Sequence, residues 1–432
     1  MEIILSLFAA LVILYICWWK PIVGIAVLTQ INLIRAVVSL DLNDICFRCV
    51  NDSDPFLGAI IPLLGFAVIL IKLYSKNKKV NFRLGFIDLF FVLTIFTLVY
   101  TTIFSADIIT SVIYTSKFLL LAFSYYFIGK TILLNSNQPD KLIIEFLKTT
   151  LILGVVLGTI SLILLLYEGG TVNRLTIPGV HPIPFSQLIG FAILVIISSL
   201  IIDKKIFPIE LGSIMLRGFL FVYLLIILFA SNTKGILLSV FIALIIMLYL
   251  KGFRVNKKLI LLMTIVIIPL VFYVIYIIGY DNLFERLFKS LGDDSVNHRI
   301  LSYGESFEIF LKFPLTGSGP GAYDLFGFLP YPHNFFLENI AQYGILGLFI
   351  NIYFIFSLIL LFSISNKSKK RNFIYSLLFI LIIFFFIETM VSFTLWMHKG
   401  MYISLGLFSG YYFNKIRKNR VLPQEKSNFL KS

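Results

Sequence analysis

The chain is poor in charge. Of its 432 residues only 13% are Asp, Glu, Lys or Arg, while 59% are hydrophobic and the mean hydropathy is +0.97. A soluble domain must cover itself with polar groups, so this balance excludes one. Cysteine is scarce as well, and three residues are too few for a disulfide scaffold. Cys46 and Cys49 lie in a short acidic loop with the spacing of a pair, but an isolated CxxC gives little ground for a redox or metal role. The alternating ten-residue segments of a membrane barrel are absent. So are the basic start and small-residue cleavage site of a signal peptide, and Ile3–Trp19 reads as a retained helix. Neither an internal repeat nor a composition break marks a second unit, so residues 1–432 read as a single transmembrane domain.

What the chain has in quantity is apolar runs long enough to cross a bilayer. They fall near 3–19, 21–40, 57–74, 86–104, 111–129, 143–167, 185–202, 214–230, 235–250, 259–279, 335–362, 373–392 and 400–413. The expected fold is an all-α polytopic membrane protein of about 12–13 transmembrane helices, the first two joined only by Lys20-Pro21. The net charge of +14 is explained by basic loops rather than by nucleic acid. Clusters stand at Lys76, Lys78, Lys79 and Arg83, at Lys251, Arg254, Lys257 and Lys258, at Lys367, Lys369, Lys370 and Arg371, and at Lys415, Arg417, Lys418 and Arg420. Counting spans places all four on one side, which the positive-inside bias makes cytoplasmic. The count leaves the side of the N-terminus open.

The opposite side receives the loop at 168–184, the turn Ser231–Lys234, the large loop at 280–334 and the turn near Ser392–Lys399. The large loop begins with apolar residues at helical spacing (Leu283, Phe284, Leu287, Phe288, Leu291), as in a helix lying on a membrane surface. A second helix, carrying Arg299, Glu305 and Glu308, is expected to end at Pro314. The "GSGPG" that follows reads as a tight turn rather than a phosphate cradle. Pro332 and Asn334 then mark a helix start, with Asn334, Glu338 and Gln342 on one face. Ionisable residues at membrane depth point to function, which singles out His333 and Glu338; Asn334 and Gln342 fit a cap and a packed polar face. Arg174 and Lys234 are either snorkelling anchors or substrate ligands. Three cations, a histidine and a glutamate on one face suit a diphosphate: arginine grips its oxygens in pairs, and lysine adds a point charge.

"PHNFFLENIAQYGILGL" resembles the His-Asn-x-x-Leu-(x)n-Gly signature of the O-antigen polymerase and O-antigen ligase superfamily. "NHRILSYGESFEIFLKFPLTGSGPGAY" is similar to the segment that precedes it there, and "SNTKGILLS" to that family's Ser-x-x-Arg-Gly helix start, with Lys234 in place of arginine. The resemblance implies a GT-C-like membrane glycosyltransferase, inverting and independent of metal or other cofactor, in the bacterial inner membrane with its active face periplasmic. It implies an undecaprenyl-diphosphate-linked oligosaccharide donor and acceptor as partners, within membrane lipid, and admits a chain-length regulator protein. By family likeness Arg299 and Lys234 hold the donor diphosphate, Arg174 with Arg299 plays the part of the paired arginine-bearing outer loops of polymerases, and His333 is the base; on the chemistry of the residues, Glu338 orients His333 or binds sugar hydroxyls. The expected activity is joining of repeat units as an O-antigen or capsular polymerase. The alternatives are a ligase that moves polymer to lipid A–core and, in another class, a flippase or secondary transporter. Against the last, the ionisable groups cluster at one face and no repeat halves are present.

Overall fold

The computed structural model describes residues 2–40, 56–76, 81–167, 174–201, 212–251, 294–368 and 373–429. Every regular element among them is helical. Following the chain, these are α1 (Glu2–Trp19), α2 (Pro21–Thr29), α3 (Ile31–Val38), α4 (Ile61–Lys76), α5 (Phe86–Ile103), α6 (Ile108–Leu134), α7 (Pro139–Tyr167), α8 (Pro182–Ile201), α9 (Ile214–Ala230), α10 (Lys234–Lys251), α11 (Asp294–Lys312), α12 (Phe335–Ser368), α13 (Phe373–Thr389) and α14 (Lys399–Phe429). Six of them are long and apolar enough to cross a membrane unaided, and α2 with α3 makes a seventh if that bent pair is one span. Four shorter apolar helices accompany them. The chain is a multi-pass, all-α membrane protein. The expected span at 259–279, the amphipathic stretch after Tyr280 and the loop with Cys46 and Cys49 lie outside the described residues.

Burial separates the helices that face lipid from those that fill the centre. In α8, 78% of the apolar window is buried, against 28–44% in α4 to α7. Helix α13 is buried continuously from Phe373 to Ile382, as expected of a helix apolar on every side. The first half of α14 packs against both α13 and the end of α6. The outer helices α1, α4, α5 and α7 keep one face for the core and leave the other to the bilayer.

Polar fasteners gather at the two ends of the bundle. At one end Lys415 pairs with Asp140 at 2.7 Å, the Asn414 amide donates to the carbonyls of Leu133, Leu134 and Ser136, and Asn81 N–H donates to Asn135. This is the end where the basic clusters lie, here called the basic face. At the other end, the site face, Ala106 N–H donates to the Ser318 carbonyl, Leu175 N–H to that of Ala230, and Asn334 to that of Met390. Lys72, near the basic end of α4, donates to the carbonyls of Trp18 and Trp19. Helix α1 therefore runs from the site face to the basic face, an orientation that charge counting left open.

Three expected spans are not plain rods. Residues 21–40 form two helices bent by 71° at Gln30. The expected 111–129 extends over Ile108–Leu134 and carries a π-helical turn at Phe118–Phe123. The expected span 335–362 is broken at Gly344.

Candidate active site

The stretch "YPHNFFLENIAQYGIL" builds a re-entrant helix. Asn334 accepts from the N–H groups of Phe336 and Leu337, both at 3.1 Å, and starts the helix as a cap. Ten residues after Asn334, Gly344 takes φ 60°, ψ −137°, a backbone that side chains rarely adopt. The chain turns back on itself there. Asn351 then reaches the Phe336 carbonyl at 2.9 Å and the Asn339 side chain at 2.7 Å. A straight helix would hold Asn351 and Phe336 about 22 Å apart. The expected single span 335–362 is thus a half-helix, 335–343, folded against the true span that follows Gly344.

"GSGPG" is the turn that fills the break. Its three glycines all have positive φ, and a Cβ at Gly317 would meet the Gln342 backbone at 2.2 Å. The N–H groups of Ser318 and Gly319 donate to the carbonyls of Ala341 and Gln342, while Gly321 N–H donates to the Gln342 side chain at 3.0 Å. These amides are engaged by α12 and leave no phosphate cradle. The Ile345 N–H, left without a partner in its own helix by the break, donates to the Pro314 carbonyl at 2.8 Å.

This scaffold places His333 at the mouth of the half-helix. Its φ is 54°, a left-handed conformation uncommon outside glycine and tolerated by His and Asn. The ring lies 4.4 Å from that of Tyr331, centroid to centroid, and its Nδ1 is buried with no hydrogen-bond partner among the described residues. Burial, then the Arg299 charge, then His181 push its imidazole down to about 4. Partial enclosure, Arg174 and Arg299 likewise hold His181 below its usual range. Arg299 of α11, His333 before α12, and Arg174 and His181 of the loop before α8 therefore share one electrostatic neighbourhood. His333 rests neutral in it. Helix α11 is held to this mouth by Tyr323, which donates to the Ser302 carbonyl at 2.8 Å.

The other two predicted residues sit differently. Glu338 is fully buried, and its carboxylate accepts from Tyr114, Thr394, the Leu395 N–H and Gln342. None of these bonds leads to His333. Glu338 joins α6, α12 and the turn at 390–398. Lys234 is the first residue of α10 and half-buried. Its turn packs on the same region, since Ser231 accepts from Ser186 of α8 at 2.8 Å. No interaction among the described residues joins Lys234 to Arg299 or His333.

Residues 219–352 match the model of the O-antigen ligase family. This segment is similar to that family. The match supports a likeness to the O-antigen polymerase and ligase superfamily, and the matched segment contains Lys234, Arg299, His333 and Glu338. No curated protein matches the sequence. The O-antigen ligase segment supplies the half-helix and α11, whereas Arg174 and His181 come from outside it.

Sequence reasoning singled out neither His181 nor the tertiary anchors Tyr114 and Thr394. It also passed over a cavity of about 580 Å³ next to the site, lined by His181, Arg35, Lys117 and Lys399 among others. A lone cation near the end of an apolar span looks the same in sequence whether it snorkels or lines a pocket. Among the described residues no group of three or more His, Cys, Asp or Glu side chains is placed to share a metal ion.

Proposed function

We propose that the protein is a glycosyltransferase that joins saccharide units carried on undecaprenyl diphosphate, working as an O-antigen or capsular polymerase at the periplasmic face of the inner membrane. One observation carries this reading: Arg299 and His333, picked out by separate motifs, lie within reach of each other's charge at the mouth of a re-entrant helix. The site face is opposite the basic loops, which the positive-inside bias makes periplasmic.

The chemistry is a direct displacement with inversion. The acceptor sugar hydroxyl attacks the anomeric carbon of the donor, and the bond from that carbon to the diphosphate oxygen breaks. The hydroxyl proton passes to His333, and the diphosphate leaves with its lipid. Arg299 and Arg174 stabilise the charge growing on the leaving oxygen, which in a partly dry site is worth far more than in water. Lys234 contributes at longer range. A base held near 4 is weak, yet a bound diphosphate offsets the arginine charge and so raises the proton affinity of His333. The donor thereby tunes the base. Glu338 acts as a positioning residue.

A ligase would use the same site, and the matching family is described as O-antigen ligase. A deletion strain separates the two. Loss of a polymerase leaves single repeats attached to lipid A–core, whereas loss of a ligase leaves none attached. If the strain makes normal polymer with normal attachment, both readings fail.

A further inference from the structure

Beside the His333 cluster lies a second group of cations that the proposed chemistry does not use. The bend between α2 and α3, the π-helical turn Phe56–Ile60 before α4, the π-helical turn of α6, and the beginnings of α8 and α14 enclose a cavity of about 580 Å³. That is within the range of small-molecule pockets. Arg35, Lys117 and Lys399 line it, and no aspartate or glutamate is among the described residues that do. Lys117 Nζ stands 5.1 Å from the centre of the Trp396 ring, and Lys399 Nζ stands 5.9 Å from that of Tyr125. Aromatic faces hold both ammonium groups in place without neutralising them. No carboxylate pairs with either lysine among the described residues. The Arg35 charge is close enough to act on Lys399, and in a poorly solvated space such like charges repel. An anion among them turns that repulsion into attraction. The remaining wall is largely apolar, with Phe146, Phe191 and Phe385. The ligand that fits is amphipathic, with a multiply charged anionic head and a hydrocarbon tail.

His181 belongs to both groups: it lines this cavity and neighbours Arg299 and His333. Joining two lipid-linked saccharides requires both to be held at once, and each carries its own diphosphate. We propose that Arg35, Lys117 and Lys399 form a second diphosphate site. It holds one lipid-linked saccharide while the Arg174–Arg299 group holds the other, with their sugars meeting at His181 and His333. The proposal rests on the glycosyltransferase reading above and deepens it, because a ligase acting on a lipid A–core acceptor needs only one polyprenyl-diphosphate site.

The full chain in detergent is titrated separately with undecaprenyl diphosphate, inorganic diphosphate and phosphatidylglycerol, and bound molecules are counted by native mass spectrometry. Wild-type protein should hold two undecaprenyl diphosphates. The double variant Lys117→Gln/Lys399→Gln should hold one, its second affinity weakened about tenfold or more by loss of charged contacts. Arg299→Gln should also drop to one. Lys117→Arg/Lys399→Arg should keep two, which separates lost charge from lost fold. Two molecules on the glutamine double variant overturn the second site but leave the first, provided Arg299→Gln still loses one. Equal occupancy of the second site by inorganic diphosphate or phosphatidylglycerol overturns its assignment to a lipid-linked saccharide. Wild-type protein that binds no undecaprenyl diphosphate refutes the glycosyltransferase reading itself, and the second site with it.

Discussion

The side-chain amide of Asn351 donates to the main-chain oxygen of Phe336, fifteen residues earlier, at 2.9 Å. This one bond requires the chain to reverse between them, and Gly344 is where it does so. A Cβ at Gly344 would lie 2.6 Å from the Pro314 oxygen, on a backbone already at φ 60°. Gly344→Ala should therefore destabilise the protein by about 1–3 kcal/mol and lower its abundance in the membrane. Gly304→Ala is the control, because a Cβ there meets nothing within 4 Å on helix α11. That variant should be neutral or gain up to about 1 kcal/mol. Thermal unfolding of both in detergent checks the contrast, and equal melting points would remove the re-entrant turn.

His333 should be indispensable. His333→Ala is expected to lower chain extension by about 10²–10⁴-fold, the usual worth of a general base, and His333→Gln nearly as much. If the glutamine variant makes full-length polymer at normal protein levels, His333 is a structural residue.

The pH dependence has a definite sign. The folded-state value of about 4 lies below the ordinary 6.5. As pH falls, the unfolded chain takes up the proton first. The stability contributed by neutral His333 is therefore complete above about pH 6.5 and is lost as pH falls toward 4. In kcat/KM, which reports the free enzyme, the acid limb assigned to His333 should lie near 4. Arg299→Gln removes one of the charges that hold it low, so the His333 imidazole, followed by NMR in the folded variant, should titrate at a higher pH. An unchanged His333 titration in that variant would separate Arg299 from His333.

At Arg299 the fork matters as well as the charge. Arg299→Ala should abolish polymer formation, and Arg299→Lys should restore part of it. Lys234→Arg should be tolerated, because it keeps the charge at the start of α10. Polymer banding with expression controls reads all three, and normal banding from a well-expressed Arg299→Ala would exclude that residue from the site.

Glu338 is predicted to matter through stability. Glu338→Ala leaves the Leu395 N–H and the Tyr114 and Thr394 hydroxyls without their acceptor. Each buried group left unpaired costs about 1–3 kcal/mol. Glu338→Gln should lower the melting point less, with activity per folded molecule kept within about tenfold. A glutamine variant of unchanged melting point that loses two or more orders of magnitude in activity would make Glu338 a chemical participant.

Topology is testable by single cysteines in a cysteine-free background. Positions 294 and 5 should label from the periplasm of intact cells, and position 368 only after permeabilisation. Labelling of 368 in intact cells would invert the arrangement.

The sequence by itself determined the class of the protein. Hydrocarbon cannot satisfy backbone groups, so apolar runs of spanning length must be helices wherever they lie in the chain. The same local logic made the Asn334 cap, the α11 helix and the tight "GSGPG" turn readable, because caps and turns involve residues a few positions apart. The site is different. Arg174, His181, Arg299 and His333 are far apart in sequence, and their neighbourhood depends on helices packing side by side. Hydropathy also could not show that 335–343 folds back, because a re-entrant half-helix and the span behind it are equally apolar. Only the packed structure decided that Glu338 faces Tyr114 and Thr394, and that Arg35, Lys117 and Lys399 line one cavity. Charge along a chain reports which side of the membrane a loop occupies; which cations meet is set by the three-dimensional contacts of the helices that carry them.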